Sequence, residues 1–297
     1  MVPPPTRSIV HSRGVELAMW EWLPEPPREP KSTVAVFHGL GAHARFPSVL
    51  LAAELLAEQQ YRVCAVDFPG HGESPGLRGF IESADAIIED GINAAKDAAT
   101  NRWNHPLFLL GSSMGGAIAV AVASGLAAMG VEVAGLVLLA PMLAPAASTP
   151  ACYLLQALAW TPLARVALIP SSATDNSKQY ACADVRRGVE ADELAYKGNL
   201  RVAAAAAVLD LGQRIESSLE RVAVPFFCLV AEREMVLGPR SRAAAEELMR
   251  VAATPVDERA YKAYDALHGL LCEPAETRQS IAADIVGWME RNRGSGV

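Results

Sequence analysis

Gly111-Ser112-Ser113-Met114-Gly115 is a Gly-x-Ser-x-Gly pentapeptide, and the chemistry open to it is nucleophilic attack by a serine hydroxyl. The apolar run Leu107–Leu110 before it reads as a buried strand. The Ala- and Val-rich run 117–129 after it reads as a buried helix. A strand, a tight turn carrying Ser and a helix make a nucleophile elbow, with Ser113 as the nucleophile. Gly111 and Gly115 remove side chains that would collide where strand, turn and helix pack closely. The helix behind Ser113 points free N–H groups and the positive end of its dipole at the reaction centre. Taken alone, the pentapeptide also marks ordinary strand-to-helix turns, so its surroundings must decide.

A second candidate stretch follows the apolar run Thr33–Phe37, which reads as a central strand ending in His38-Gly39-Leu40-Gly41. Glycine at a strand end lets the backbone come close to a ligand. The N–H of Leu40, with the N–H of Met114, then forms a two-donor oxyanion hole, and Gly39, Leu40 and Met114 border the substrate. A third stretch, Asp67-Phe68-Pro69-Gly70-His71-Gly72-Glu73-Ser74, ends the strand at Tyr61–Phe68. His71 is the residue type of a base, but a loop histidine between glycines more often bonds backbone and shapes the loop.

These stretches sit in a regular rhythm. Strands are expected at Val15–Trp22 (the first), Thr33–Phe37, Tyr61–Phe68, Leu107–Leu110, Val133–Leu139, Val224–Ala231 and Val256–Tyr261. Helices are expected at Pro47–Gln59, Ile81–Thr100, 117–129, Pro239–Val251 and Glu276–Arg291, with a loop at 24–30 and a frayed end at Gly294-Ser295-Gly296. Strands alternating with helices mean a parallel sheet with right-handed crossovers, and such sheets bind ligands at the carboxyl ends of their strands. Leu40, Gly70–Ser74 and Ser113 all fall at those ends.

Of the 297 residues 51% are hydrophobic, enough for a large core, and the net charge of −7 argues against a nucleic-acid surface. The five cysteines, Cys64, Cys152, Cys182, Cys228 and Cys272, are odd in number and without a Cys-x-x-Cys pair. They read as small buried hydrophobes of a reducing compartment. No metal-ligand spacing stands out. Met1–Arg7 lacks the apolar core of a signal peptide, and no apolar run reads as a membrane span, so the expected location is cytoplasmic with peripheral membrane contact.

His-Gly-Leu-Gly, Asp-Phe-Pro-Gly-His-Gly-Glu-Ser and Gly-Ser-Ser-Met-Gly-Gly, in this order and spacing, resemble the monoacylglycerol lipase group of the α/β-hydrolase superfamily, grouped with serine aminopeptidase-like hydrolases. The opening Ser12–Leu17 and Trp22-Leu23-Pro24 are similar to plant and algal members. The resemblance implies an α/β-hydrolase fold, a mostly parallel sheet with helices on both faces and a helical cap insertion. It implies a triad acid after the strand Val224–Ala231, where the family has Gly-x-x-Asp-x-Val. This chain has Ala231-Glu232-Arg233-Glu234-Met235-Val236, which puts Glu234 at the acid's position, with Glu232 and Asp210 as alternatives. It implies His268, in Leu267-His268-Gly269-Leu270-Leu271, as the catalytic base.

Between Met142 and Glu220 the strand–helix rhythm breaks, and the expected division is a core of 1–141 and 221–297 with a cap at 142–220. Within it, Cys152–Trp160 and Leu200–Leu211 read as helices, Val166–Pro170 as an apolar run and Ile215–Arg221 as a polar connection. An apolar cap suits an acyl chain and offers a face for transient contact with a membrane surface. The expected reaction is two-step ester hydrolysis through an acyl-enzyme, with no cofactor or metal, releasing fatty acid and glycerol from a monoacylglycerol. The alternatives are a lysophospholipase, an aryl-ester esterase of the caffeoylshikimate type, an acyltransferase and a non-catalytic ligand-binding member of the fold. The sequence leaves the oligomeric state open.

Overall fold

Four runs are buried at every residue: β3 (Thr33–Phe37), β4 (Arg62–Val66), β6 (Gly135–Leu139) and β9 (Phe226–Ala231). Such runs belong to strands covered on both faces. The computed structural model describes residues 2–26, 29–100, 105–147 and 149–293. In it these four strands join β1 (Thr6–Ser12), β2 (Val15–Trp22), β5 (Leu107–Ser112) and β10 (Arg259–Tyr264) in one eight-stranded sheet. The spatial order is β1-β2-β4-β3-β5-β6-β9-β10. The β1–β2 and β2–β4 pairs are antiparallel, and every later pair is parallel. The fold is that of the α/β-hydrolases.

Helices close both faces. On one lie α1 (Pro47–Glu58) and α9 (Ala275–Asn292), whose Val49, Leu56, Ile281 and Trp288 share a core with Val34, Leu110 and Leu229. On the other lie α2 (Ala84–Ala99), α3 (Met114–Ala128) and α8 (Pro239–Val251), packed over Phe37, Leu109 and Cys228. Local chemistry sets the helix starts. The Ser83 hydroxyl accepts the N–H of Ala86 at the head of α2, with Asp85 in its first turn, and proline opens both α1 and α8. Helix α3 is apolar nearly all round, as a helix enclosed on every side must be.

Between β6 and β9 the chain makes α4 (Thr149–Ala159), β7 (Ala167–Ile169), α5 (Asn176–Gln179), α6 (Ala183–Ala191), β8 (Leu200–Arg201) and α7 (Val202–Glu216). β7 and β8 form a small antiparallel ribbon apart from the main sheet. Helix α7 buries Ala204, Ala207, Leu211 and Ile215, one stripe at helical spacing, in the same core as α2 and α3. It roots the insertion in the body of the protein.

The structure departs from the sequence reading in several elements. The first strand is β1, not Val15–Trp22. Only Val10 and Ser12 of β1 are buried, so this edge strand has little apolar alternation to announce it. The last strand is Arg259–Tyr264 rather than 256–261, because Val256–Glu258 form a 3₁₀ turn that leaves Val256 exposed. Helix α7 runs on through Glu216, where a polar connection was expected. Of the loop at 24–30, Pro27 and Arg28 lie outside the described residues, as do Gly294, Ser295 and Gly296.

Candidate active site

Ser113 joins β5 to α3 with φ 58° and ψ −121°, a backbone conformation in which a side chain is strained. The surroundings over-determine it. The Ser113 N–H donates to the Leu139 carbonyl at 3.0 Å, and the Ser113 carbonyl accepts the N–H groups of Met142 and Gly116, each at 3.0 Å. A Cβ on Gly115 would lie 2.0 Å from the Phe37 carbonyl oxygen, and one on Gly111 would lie 2.1 Å from the Gly115 carbonyl oxygen. Only glycine lets the turn draw in this far. Met114 is the first residue of α3, where N–H groups lack intrahelical acceptors.

Gly39 stands beside the nucleophile: a Cβ there would lie 3.4 Å from the Ser113 Cβ. The loop it opens is fixed by two buried histidines and an aspartate. His38 Nδ1 donates to the Gly39 carbonyl at 2.8 Å, and its Nε2 accepts the Phe68 N–H at 3.2 Å. His71 Nδ1 donates to the Pro69 carbonyl at 3.0 Å, which is the loop-shaping role. Burial pushes both rings down to about 3, so both are neutral at physiological pH. The Asp67 carboxylate accepts the N–H of Ala44 at 2.6 Å and of Glu73 at 2.8 Å, tying the loop after β3 to the loop after β4. Sequence reasoning gave Asp67 no role, although a buried acid at a strand end was visible in the motif.

Glu234 follows β9 and His268 follows β10. Their side chains meet: His268 Nδ1 lies 2.7 Å from Glu234 Oε2. Glu234 Oε1 accepts the N–H groups of Val236 at 2.7 Å and Leu237 at 3.0 Å. Burial pushes the Glu234 carboxyl up. The hydrogen bond and charge of His268, with the two N–H groups, outweigh that and bring it below its ordinary value. Of the alternative acids, Asp210 lies on α7 and pairs with Arg214 at 2.8 Å, while Glu232 is exposed. A residue the sequence reading passed over is Glu273. It is buried and accepts the Leu267 N–H at 2.7 Å, holding the His268 loop from below.

Ser113 and His268 open onto one cleft. Gly39, Leu40, Ala42 and Phe46 line one wall, and the insertion supplies Tyr180, Val189, Ala195 and Tyr196. Ser48, Thr174, Asn176 and Lys197 add polar groups to the same lining. A strained serine, a histidine anchored by a carboxylate and backbone donors at a helix start make up the parts for acyl transfer.

Residues 28–275 match the family described as "Serine aminopeptidase, S33". The human "Monoglyceride lipase" is 27% identical over 287 residues, 95% of this chain and 89% of that protein. The "Monoacylglycerol lipase" of Mycolicibacterium smegmatis is 25% identical, covering 93% of each. Among solved structures, a soluble variant of monoglyceride lipase from Saccharomyces cerevisiae, in complex with a substrate analog, superposes with a TM-score of 0.82. It is 16% identical and covers 99% of this chain and 97% of that one, a likeness of fold. No helix among the described residues is long and apolar enough to cross a membrane.

Proposed function

The chain belongs to the serine aminopeptidase, S33 family of α/β-hydrolases and is a carboxylic-ester hydrolase, and from that premise we propose that it cleaves monoacylglycerols to fatty acid and glycerol with Ser113, His268 and Glu234. The observation that carries the reading is the 2.7 Å bond from His268 Nδ1 to Glu234, with His268 and the strained Ser113 in one cleft. Ser113 Oγ attacks the ester carbonyl carbon and passes its proton to His268 Nε2. Glu234 holds the ring in the tautomer that leaves Nε2 free to accept and stabilises the imidazolium that forms. The N–H groups of Leu40 and Met114 receive the negative charge that develops on the carbonyl oxygen. His268 then gives its proton to the departing glycerol oxygen, and water repeats the sequence on the acyl-enzyme.

The cleft's mixed lining supports the substrate. Phe46, Val189 and the alanines suit an acyl chain, while Ser48, Thr174, Asn176 and Lys197 suit a leaving group that carries hydroxyls. Residues 142–220 serve as the cap, with α7 as its root. The exposed side chains of Tyr153, Leu154, Trp160, Leu163, Val166 and Leu168 are its contact with a lipid surface. All five cysteines are free and four are buried, which fits a reducing, cytoplasmic setting.

The test is the intact mass after treatment with a fluorophosphonate, beside the Ser113→Ala variant. Glycerol release from 1-monoacylglycerols is then set against turnover of lysophosphatidylcholine and of aryl esters. One adduct, lost in the variant, and a preference for monoacylglycerol are expected. An adduct with faster turnover of another ester keeps the site and replaces the substrate. No adduct on the folded protein overturns the triad and points to a ligand-binding role.

A further inference from the structure

Three loops from three strands must hold the proposed machinery in register: the loop after β3 with Leu40, the loop after β9 with Glu234 and the loop after β10 with His268. Each also shares a hydrogen bond with one stretch of the insertion. The Ser172 hydroxyl donates to the carbonyl of Val236, whose N–H holds Glu234, at 2.7 Å. The N–H of Gly269, next to His268, donates to the Gln179 carbonyl at 2.8 Å. The Tyr196 N–H donates to the carbonyl of Gly41, next to Leu40, at 2.8 Å.

The loop after β3 has a second tie, through side chains. His43 is buried, and its Nδ1 accepts the Arg45 N–H at 3.2 Å, so the proton sits on Nε2. That proton is donated to Asp192 Oδ2 at 2.7 Å. The other oxygen, Asp192 Oδ1, accepts the Leu194 N–H at 2.9 Å and so fixes the turn that delivers Tyr196. Packing reinforces the ties. A Cβ on Gly41 would lie 2.7 Å from the Tyr196 carbonyl oxygen, and one on Gly269 would lie 2.5 Å from the Tyr180 ring.

We infer that residues 172–196 are a brace for the three catalytic loops, with Asp192 the main positioning residue for the oxyanion donor and Ser172 a lesser one for the acid. The brace rests on the proposed triad. Its physical basis is that backbone donors stabilise an oxyanion only when they are already in place, and loops are the least stable parts of a fold. Tied down at Gly41 and His43, the Leu40 N–H is preorganised at no further cost during reaction.

The experiment compares wild type, Asp192→Asn, Ser172→Ala and Asp184→Asn. Asp184 lies in the same segment but makes none of its ties to the three loops: its exposed carboxylate pairs with Arg187 on the same helix, so it serves as the control. Each is assayed with p-nitrophenyl butyrate and with an alkyl trifluoromethyl ketone, whose hemiketal carries the oxyanion. Asp192→Asn should lower kcat by about 10- to 100-fold with KM within about threefold, as small misplacements of catalytic groups do. The Ki of the ketone should rise by the same factor, while Asp184→Asn matches wild type. A kcat within twofold of wild type, or a fall in kcat with an unchanged Ki, overturns the brace. Should Asp192→Asn fail to fold, Ser172→Ala carries the test, with an expected kcat loss of about 3- to 10-fold. A wild-type chain that takes no fluorophosphonate adduct overturns the triad and the brace together. An adduct on wild type with variants that behave like it overturns the brace alone.

Discussion

His268 Nδ1 lies 2.7 Å from Glu234 Oε2, and the opposite oxygen of that carboxylate is held by the N–H groups of Val236 and Leu237. The carboxylate is thus fixed on the side away from the histidine and presents one oxygen to it. Glutamate is one methylene longer than the aspartate common in this family.

Glu234→Gln keeps the size of the side chain and removes its charge. The variant should stay folded by circular dichroism and lose about 10³- to 10⁴-fold in kcat, because the imidazolium loses its partner and the wrong tautomer is favoured. Ser113→Ala and His268→Ala should lose more, about 10⁵- to 10⁶-fold. A Glu234→Gln enzyme with more than a tenth of wild-type kcat would transfer the acid's role elsewhere.

Ser113 keeps its positive φ at a cost in stability. Glycine at this position relieves the strain, whereas alanine does not. Ser113→Gly should therefore unfold about 1 kcal/mol later than Ser113→Ala in urea, with both inactive. Equal stabilities would mean that the turn is relaxed. Gly115→Ala is the opposite case. Its Cβ would meet the Phe37 carbonyl oxygen at 2.0 Å, and the variant should lose several kcal/mol, on the order of 3 or more, along with activity.

How far these positions were legible in the sequence depended on whether their cause was local. Ser113 and its glycines announce themselves because the turn's geometry excludes other residues at Gly111 and Gly115. The buried strands β3, β5, β6 and β9 show as apolar runs for the same reason: each residue carries its own burial. Strand β1 was invisible because its place is set by pairing with β2 rather than by its own pattern. The contacts of Asp192, Ser172 and Gln179 could not be read from the sequence, although Asp192 opens a stretch similar to the cap segment of the lipase group. Their partners lie far along the chain, and a polar residue in a polar stretch looks solvated until the fold brings His43 or Val236 to it. Glu234 sat between these cases, since its position in a motif was readable but its contact with His268 was not.

The buried pair His38 and His71 makes stability depend on pH in a stated direction. Both rings titrate at about 3 in the folded chain, against an ordinary value of 6.5. The unfolded chain therefore binds protons that the folded chain refuses once pH falls below 6.5. Their contribution is intact above 6.5 and erodes toward 3, by up to about 1.4 kcal/mol per pH unit for each ring. His71→Asn retains a donor for the Pro69 carbonyl and removes one titrating group. Urea unfolding from pH 6.5 to 5 should show a shallower decline for this variant than for wild type. Parallel declines would mean that His71 takes up its proton in the native state.

Trp160 is 93% exposed, and it lies in sequence between the exposed Leu154 and Leu168. Water is a poor resting place for so much apolar surface gathered in one part of the insertion. Inserted among lipid tails, each large side chain gains about 1.5–3 kcal/mol. The double variant Trp160→Ala, Leu168→Ser should bind phosphatidylcholine vesicles at least about tenfold more weakly. Turnover of a short soluble ester should be unchanged, because neither residue lines the catalytic cleft. Cosedimentation with vesicles measures the first effect and a p-nitrophenyl ester assay the second. If wild type ignores vesicles but sediments as a dimer that the double variant abolishes, the apolar face is covered by a second copy of the chain. The lipid contact would then be wrong.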